Sequence, residues 1–202
     1  LSEFSRRSLE ILRQPLEDKV IRISRVYGTY DFPADFMLCA AMNPCPCGHY
    51  PDMNRCRCTP AQVMQYLGRI SQPLLDRLDL CAEVSPVDFE GLSSGRKGES
   101  TQTIRERVIC AQDIQRERYK IEGIQFNGEL SGAQIEKYCK MEKDARQLLK
   151  MAFQNMPFSA RAYHRILKVA RTIADMEATE SIHRHHIAEA LSYRAFDKKY
   201  WN

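Results

Sequence analysis

Apolar and polar residues alternate along VIRISRVYGTYDFPADF, residues 20–36, as is typical of β-strands. Ile21 and Ile23 fall on one face of such a strand, while Arg22 falls on the other. Gly28 is available for a turn. The pattern therefore predicts a β-hairpin.

Two further stretches favour strands of a different kind. FMLCAAMN, residues 36–43, is a nearly continuous apolar run that ends in a polar residue before Pro44. LDLCAEV, residues 78–84, follows SQPLLDR, which is typical of a short helix. Continuous apolar runs characterise strands that are buried on both faces of a parallel sheet. We therefore expect both stretches in such a sheet.

Apolar residues recur at helical spacing in the rest of the chain. A short helix is expected from Ser5 to Pro15, where the proline limits it. Ser131 with Gln134 forms a capping-box pattern, and Ser159 is a candidate N-cap. The apolar stripes are Ile104, Val108, Ala111 and Ile114; Ala145, Leu148, Leu149, Ala152, Phe153 and Met156; Tyr163, Ile166, Leu167, Ala170 and Ile173; and Ile187, Ala190, Leu191 with Arg194.

These patterns predict an α/β protein that is predominantly helical. The stretch SPVDFEGLSSGRKGES, residues 85–100, is rich in Ser and Gly and is typical of a linker. It does not match the phosphate-binding pattern G-x-x-x-x-G-K-[ST]. We expect an amino-terminal part over 1–88, a linker over 89–101 and an all-helical domain over 102–202.

Composition changes this picture little. The formal net charge is only +4, from 30 basic and 26 acidic residues, which alone does not argue for nucleic acid. No run is apolar enough for a transmembrane helix, and the first residues do not resemble a signal peptide. These features predict a cytoplasmic protein. The chain also begins in patterned sequence without an initiating Met, so we expect it to be part of a longer protein.

The most specific chemical signal is NPCPCGHYPDMNRCRC, in which two C-x-C pairs are separated by eight residues. Cys45, Cys47, Cys56 and Cys58 match the four thiolates of a structural zinc site. Four free or redox-active cysteines are the alternative, and His49 is available as a substitute ligand. Because a four-thiolate site leaves no open position for substrate, such a zinc ion would hold a loop together and would not be catalytic.

The other four cysteines are scattered among apolar residues. Cys39, Cys81, Cys110 and Cys139 are expected to be ordinary buried thiols. Asn43 directly precedes the cysteine pairs, at the carboxyl end of the first predicted parallel strand. Open parallel sheets place ligand-contacting groups at this end, so Asn43 is a candidate functional residue.

Several sequence motifs of this chain, taken together, resemble those of a known family. EFSRRSLEILRQPLED, AAMNPCPCG, the paired C-x-C, PLLDRLDL and SARAYHRILKVARTIADM are similar to the magnesium-chelatase-like branch of the AAA+ ATPases, in the ComM/YifB group. The resemblance covers nearly the whole chain. It implies the back half of an AAA+ P-loop core followed by an all-α lid bundle.

The resemblance also implies roles for individual residues. Asn43 corresponds to the sensor 1 residue that orients the attacking water near the γ-phosphate, and Arg77 to an arginine finger. Arg161 corresponds to sensor 2 on the lid, so it and Asn43 would contact the nucleotide. Arg25, at the bend of a hairpin that reaches into the pore of the ring, is the candidate DNA contact.

Family members of this group act as hexameric ATP-driven DNA motors linked to branch migration during natural transformation. The resemblance thus implies single-stranded or branched DNA and self-association into a ring as interactions, no membrane partner, and ATP with magnesium as cofactors of the full-length protein. This sequence lacks the Walker A and Walker B motifs, so we expect the chain alone to be inactive as an ATPase.

The residues by themselves leave simpler interpretations open. Asn43 would then cap the following turn, Arg77 would pair with Asp76 or Asp79, and Arg161 would be solvated. Two other functions are also consistent with the sequence. One is an AAA+ remodeller of a protein or metal-insertion partner, and the other is a non-enzymatic, zinc-containing nucleic-acid-binding module.

Overall fold

The computed structural model describes residues 1–85, 87, 89, 93, 95, 98–156 and 158–194. The described residues divide into two compact units, residues 1–78 and residues 79–194. In the described part of the chain, no helix has both the length and the apolar character needed to cross a membrane.

Short helices and one hairpin make up the first unit. Its elements are α1 (Arg6–Ile11), α2 (Arg13–Asp18), β1 (Val20–Arg25), β2 (Gly28–Pro33), α3 (Pro60–Leu67) and α4 (Gln72–Leu75).

The amino-terminal helical segment, α1 with α2, extends beyond Pro15, where the sequence predicted that it would end. Ser5 caps α1 by accepting a hydrogen bond from the backbone N–H of Ser8 at 3.1 Å. Pro15 does not end the segment, because it lies in the first turn of α2, where its missing N–H would have no helical partner. Leu9 of α1 packs with Leu74 and Leu75 of α4 in a small buried core.

The predicted hairpin is confirmed. β1 and β2 pair antiparallel, from Val20 opposite Pro33 to Arg25 opposite Gly28. Two residues connect the strands, Val26 and Tyr27, and they are 95% and 96% exposed.

The prediction of two parallel strands is wrong for this structure. Residues 36–43 and 78–84 form no strand, and Met37 is 92% exposed. A strand requires a neighbour to accept and donate its backbone hydrogen bonds. Among the described residues β1 and β2 pair only with each other, so the sheet is a two-stranded antiparallel one and neither apolar run has a partner.

The second unit is helical, as the apolar stripes predict. Its elements are α5 (Thr101–Arg118), a 3-10 helix (Asn127–Glu129), α6 (Gly132–Tyr138), α7 (Lys143–Asn155), α8 (Ala160–Met176) and α9 (Arg184–Ser192). Six of the thirteen residues of the predicted linker, 89–101, lie outside the described residues, so the proposed domain boundaries stay a prediction.

Local capping signals and apolar stripes account for most of these helices. Ser131 and Gln134 form the predicted capping box of α6, and Ser159 accepts a hydrogen bond from the Ala162 N–H at the start of α8. The α8 stripe is buried in the helical core, where α8 packs mainly against α9 and α5. The α5 stripe differs, because Ile104 is 43% exposed and burial begins only further along the helix.

A buried ionic network joins α5, the 3-10 helix and α8. The carboxylate of Asp175 is fully buried and accepts hydrogen bonds from Arg118 at 2.9 Å, Asn127 at 2.8 Å and Arg171 at 3.1 Å. Arg171 is itself fully buried and also donates to the carbonyls of Thr179 and Glu180. The sequence stripes did not indicate this network, since they record apolar positions only.

Candidate functional site

The four paired cysteines lie together in the loop between β2 and α3. Cys45 is buried, and Cys47, Cys56 and Cys58 are half-buried. The Sγ of Cys45 is 3.4 Å from that of Cys47 and 3.8 Å from that of Cys56, and Cys47 is 3.6 Å from Cys56. All four sulfur atoms lie within 4.8 Å of one another.

These separations suit a tetrahedral metal site. With zinc–sulfur bonds of about 2.3 Å, the edges of a tetrahedron of four thiolates are about 3.8 Å long. The three sulfur separations among Cys45, Cys47 and Cys56, 3.4 to 3.8 Å, are close to that edge. The cluster can therefore hold a metal ion, and soft thiolate ligands favour zinc among the common divalent ions.

The electrostatics of the cluster also favour a bound metal ion. The backbone N–H groups of His49 and Arg57 lower the pKa of the Cys47 thiol to about 6. Burial, together with the neighbouring thiols, raises the pKa of Cys58 to about 12. Cys47 is thus favoured as a thiolate, whereas the loss of a second proton, from Cys58 beside it, is disfavoured. A bound cation would remove this opposition, because it attracts all four charges.

The loop is supported by α3. The apolar side chains of Val63, Tyr66 and Leu67 pack against the cysteine cluster. Thr59, directly after the last cysteine, begins α3 in a capping box with Gln62. The loop geometry is therefore coupled to the start of this helix.

The remaining cysteines are not all buried. Cys39 and Cys110 are exposed and Cys81 is half-buried, so the prediction is wrong for these three, whereas Cys139 is buried in the helical core. Cys39 is exposed because the strand expected around it does not form.

Asn43 lies at the edge of the cysteine loop. It is exposed, and its side-chain amide borders Gly48, where an added Cβ would stand 3.8 Å from Asn43 Cγ. Gly48 has a φ of +81°, which favours glycine at this turn. Asn43 is thus positioned by the loop, and not by the end of a parallel strand as predicted.

Arg77 is held within the first unit. Its side chain is only 9% exposed, and it forms an ion pair with Glu17 of α2. It also donates a hydrogen bond of 2.7 Å to the carbonyl of Pro73. The sequence suggested the nearby Asp76 or Asp79 as partners, whereas Glu17 lies sixty residues away along the chain.

Arg161 and Arg25 are both exposed. Arg161 is in the first turn of α8 in the second unit, one turn before Arg165, which pairs with Asp79. Arg25 ends β1 and donates a hydrogen bond of 3.4 Å to the adjacent carbonyl of Ser24. Asn43, Arg77 and Arg25 thus belong to the first unit and Arg161 to the second.

Sequence reasoning missed a second cluster of candidate metal ligands. The ligand atoms of Glu177, His185 and His186 also lie within 4.8 Å of one another. His186 is buried, and its Nδ1 accepts a hydrogen bond from the N–H of His183 at 2.9 Å. The neutral ring then carries its proton on Nε2, where it donates to Glu177 at 3.0 Å. The run HRHH was the available signal, but this proton arrangement favours helix capping over metal binding.

Two family models match the chain. Residues 1–92 match the model described as magnesium chelatase, subunit ChlI, and residues 98–194 match the model of the ChlI C-terminal region.

Several curated proteins are similar to the chain. An uncharacterized protein YifB of Salmonella typhimurium is 46% identical over 200 residues, which is 98% of this chain, and the YifB protein of Escherichia coli is 42% identical over the same share. The competence protein ComM of Haemophilus influenzae is 45% identical over 196 residues, or 96% of this chain. The chain spans 38% of the length of each of these relatives.

Proposed function

This chain belongs to the magnesium chelatase ChlI family, and we propose that it is the carboxyl-terminal part of an ATP-driven DNA motor. In this proposal the first unit completes an AAA+ core whose phosphate-binding half is supplied by further sequence, and the second unit is the helical lid. The motor assembles as a ring, a hexamer, and its role is helicase-type branch migration during natural transformation.

The proposal rests mainly on the 45% identity to a protein named for competence, since DNA uptake requires proteins that act on DNA. The hairpin supports it. Arg25, Val26 and Tyr27 form an exposed tip that combines a cation with an aromatic ring. Proteins commonly bind single-stranded DNA through cationic side chains that attract its phosphates and aromatic side chains on which its bases stack.

The nucleotide-related roles follow the same proposal. Asn43 orients the attacking water, while Arg77 and Arg161 place positive charge against the phosphates of a bound ATP–magnesium complex. Phosphoryl transfer depends mainly on such positioning and charge stabilisation. Because Arg77 is paired with Glu17 inside its own unit, its action on a neighbouring subunit would require that ion pair to open.

Zinc belongs to the proposal as a structural ion. The thiolate donor set and the sulfur separations fit it, and Cys45, Cys47, Cys56 and Cys58 would hold it. When bound, zinc would supply cross-linking of the loop that carries Asn43. It would take no part in hydrolysis, because four protein ligands leave no open coordination position.

The full-length protein provides the decisive experiment. Its ATPase rate should rise when single-stranded or branched DNA is added. Stimulation by a protein client and not by DNA would instead favour an AAA+ remodeller, and DNA binding without any ATPase activity would favour a non-enzymatic module. Either result would contradict the proposed motor.

The hairpin offers a matched pair of variants for this assay. Arg25→Ala should weaken DNA binding and lower the DNA-stimulated rate, and it should reduce the salt dependence of binding because a phosphate contact is lost. Arg22→Ala is the control, since Arg22 is already paired with Asp31 at 2.8 Å across the hairpin. Equal effects of the two changes would argue against a specific role for Arg25.

A further inference from the structure

A cavity of about 540 Å³ lies within the helical unit, among α6, α7 and α8. Ile135, Leu149 and Leu167 form its buried apolar floor. Phe153 and Tyr163 stand on the wall as half-buried rings with centroids 5.5 Å apart. Small-molecule sites are typically apolar clefts of this size.

The mouth of the cavity is mainly cationic. Arg146 and Lys150 line it from α7 and are one helical turn apart, so they project on the same face. Both are exposed, and within the described part of the chain neither forms an ion pair. Glu136 is the acidic residue on the rim. Two cations without acidic partners beside an apolar cavity indicate a ligand that carries both a ring and a negative charge.

His164 completes the wall. Its Cε1 would be 3.7 Å from a Cβ added to Gly132, so the ring stands beside the first residue of α6. Its centroid is 5.7 Å from that of Tyr163. The wall thus presents flat, half-buried rings, and a planar base can pack against such surfaces whatever its identity.

From these observations we propose that the cavity binds one nucleotide unit. The base enters the apolar part and packs against the rings of Tyr163 and His164, while the phosphate lies between Arg146 and Lys150. Glu136 can accept a hydrogen bond from a donor on the sugar or base. Lysine and arginine at the rim suit phosphate, which accepts several charge-assisted hydrogen bonds at once.

The helical walls disfavour an extended peptide as the occupant. The backbone N–H and C=O groups within α7 and α8 are used inside the helices, so the cavity offers side chains only. The nucleotide unit has two possible sources, a free nucleotide or a unit of a single strand. The inference does not require the motor function, because every lining residue lies between 135 and 167 in one unit.

The test is a titration of the 202-residue chain, selectively labelled at methyl groups, with thymidine 5′-monophosphate. Binding should shift the methyl resonances of Ile135, Leu149 and Leu167 and leave that of Leu9 unchanged. The double change Arg146→Glu with Lys150→Glu should weaken binding by about tenfold or more, since hydrogen bonds to charged groups are lost. Lys140→Glu with Lys143→Glu alters the charge equally outside the cavity and should have little effect.

Several outcomes would overturn the proposal. They are an absence of methyl shifts at millimolar nucleotide, equal weakening by both double variants, the same shifts from inorganic phosphate alone, or tighter binding of an acidic phenylalanine peptide. If the charge-reversal protein is unfolded by circular dichroism, Arg146→Gln replaces it. Tighter binding of oligothymidylate at the same methyl groups identifies a strand as the source, and its absence identifies a free nucleotide. No ATPase measurement is involved, so failure here is separate from failure of the motor proposal.

Discussion

At the residue scale, the four clustered cysteines lead to a stoichiometric prediction. Freshly purified, reduced protein should contain one zinc ion per chain, since the sulfur atoms of Cys45 and Cys56 are already 3.8 Å apart. The change Cys56→Ser with Cys58→Ser should remove the metal and lower the thermal stability of the first unit. Metal analysis and thermal unfolding measure both effects.

A matched control exists in the same chain. Cys39→Ser with Cys110→Ser alters two exposed cysteines outside the cluster and should retain the metal. Reduced wild-type protein that contains no zinc would refute the assignment, as would a cluster variant that keeps it.

Arg77 and Glu17 provide a second prediction at this scale. In the full-length protein Arg77→Ala should nearly abolish ATP hydrolysis and leave ATP binding intact, because an arginine finger can contribute a factor of about 10³ to 10⁵ in rate. Glu17→Gln should keep or increase hydrolysis, since it frees the guanidinium from its partner in α2. Turnover and nucleotide binding are measured separately.

A purely structural ion pair predicts another result. Arg77→Ala and Glu17→Gln would then destabilise the protein to a similar extent and lower activity together. Mixing Arg77→Ala subunits with subunits whose phosphate loop is disabled should restore some activity only if the finger acts across a subunit boundary. A folded Arg77→Ala protein with near-normal turnover would also contradict the finger.

At the scale of elements, the carboxylate of Asp175 ties α5 to α8. Asp175→Asn leaves Arg118 and Arg171 without their shared negative charge, and the loss of one partner of a buried ionic network costs about 3 to 5 kcal/mol. Asp113→Asn removes an exposed ion pair with Arg116 and should lower the free energy of unfolding by less than about 1 kcal/mol. Denaturant unfolding of each variant measures the difference, and equal costs would show that the network contributes no special stability.

Elements whose signals are local were predictable from the sequence. The hairpin needs only alternation and a two-residue turn, and the starts of α6 and α8 need only Ser131 and Ser159 with the residues that follow. The apolar runs 36–43 and 78–84 were not assigned correctly, because a strand exists only beside a partner strand. Apolar character alone does not supply that partner.

The same distinction applies to the candidate site. The cysteine cluster was predictable because its four ligands lie within fourteen residues. The ion pair of Arg77 with Glu17 spans sixty residues, and the Asp175 network joins residues 118 to 175, so neither leaves a periodic signal. Their partners depend on how distant helices pack.

At the scale of the whole molecule, the proposed motor predicts that this chain does not work alone. It contains no G-x-x-x-x-G-K-[ST] sequence, whose backbone N–H groups form most of a phosphate-binding loop. The isolated chain should therefore neither hydrolyse ATP nor bind it tightly, whereas the full-length protein should do both. Turnover by the purified chain, with contaminating ATPases excluded, would show that the division between the two halves is wrong.

The junction between Cys58 and Thr59 has a consequence for how the first unit opens. An isolated helix of eight residues is too short to persist in water, so α3 depends on its cap and on the cysteine loop against which it packs. Loop and helix should then melt as one cooperative unit. None of the α3 residues is a proposed metal ligand. Even so, amide protons in α3 should exchange with deuterium much faster once a chelator has removed the proposed zinc ion from the loop.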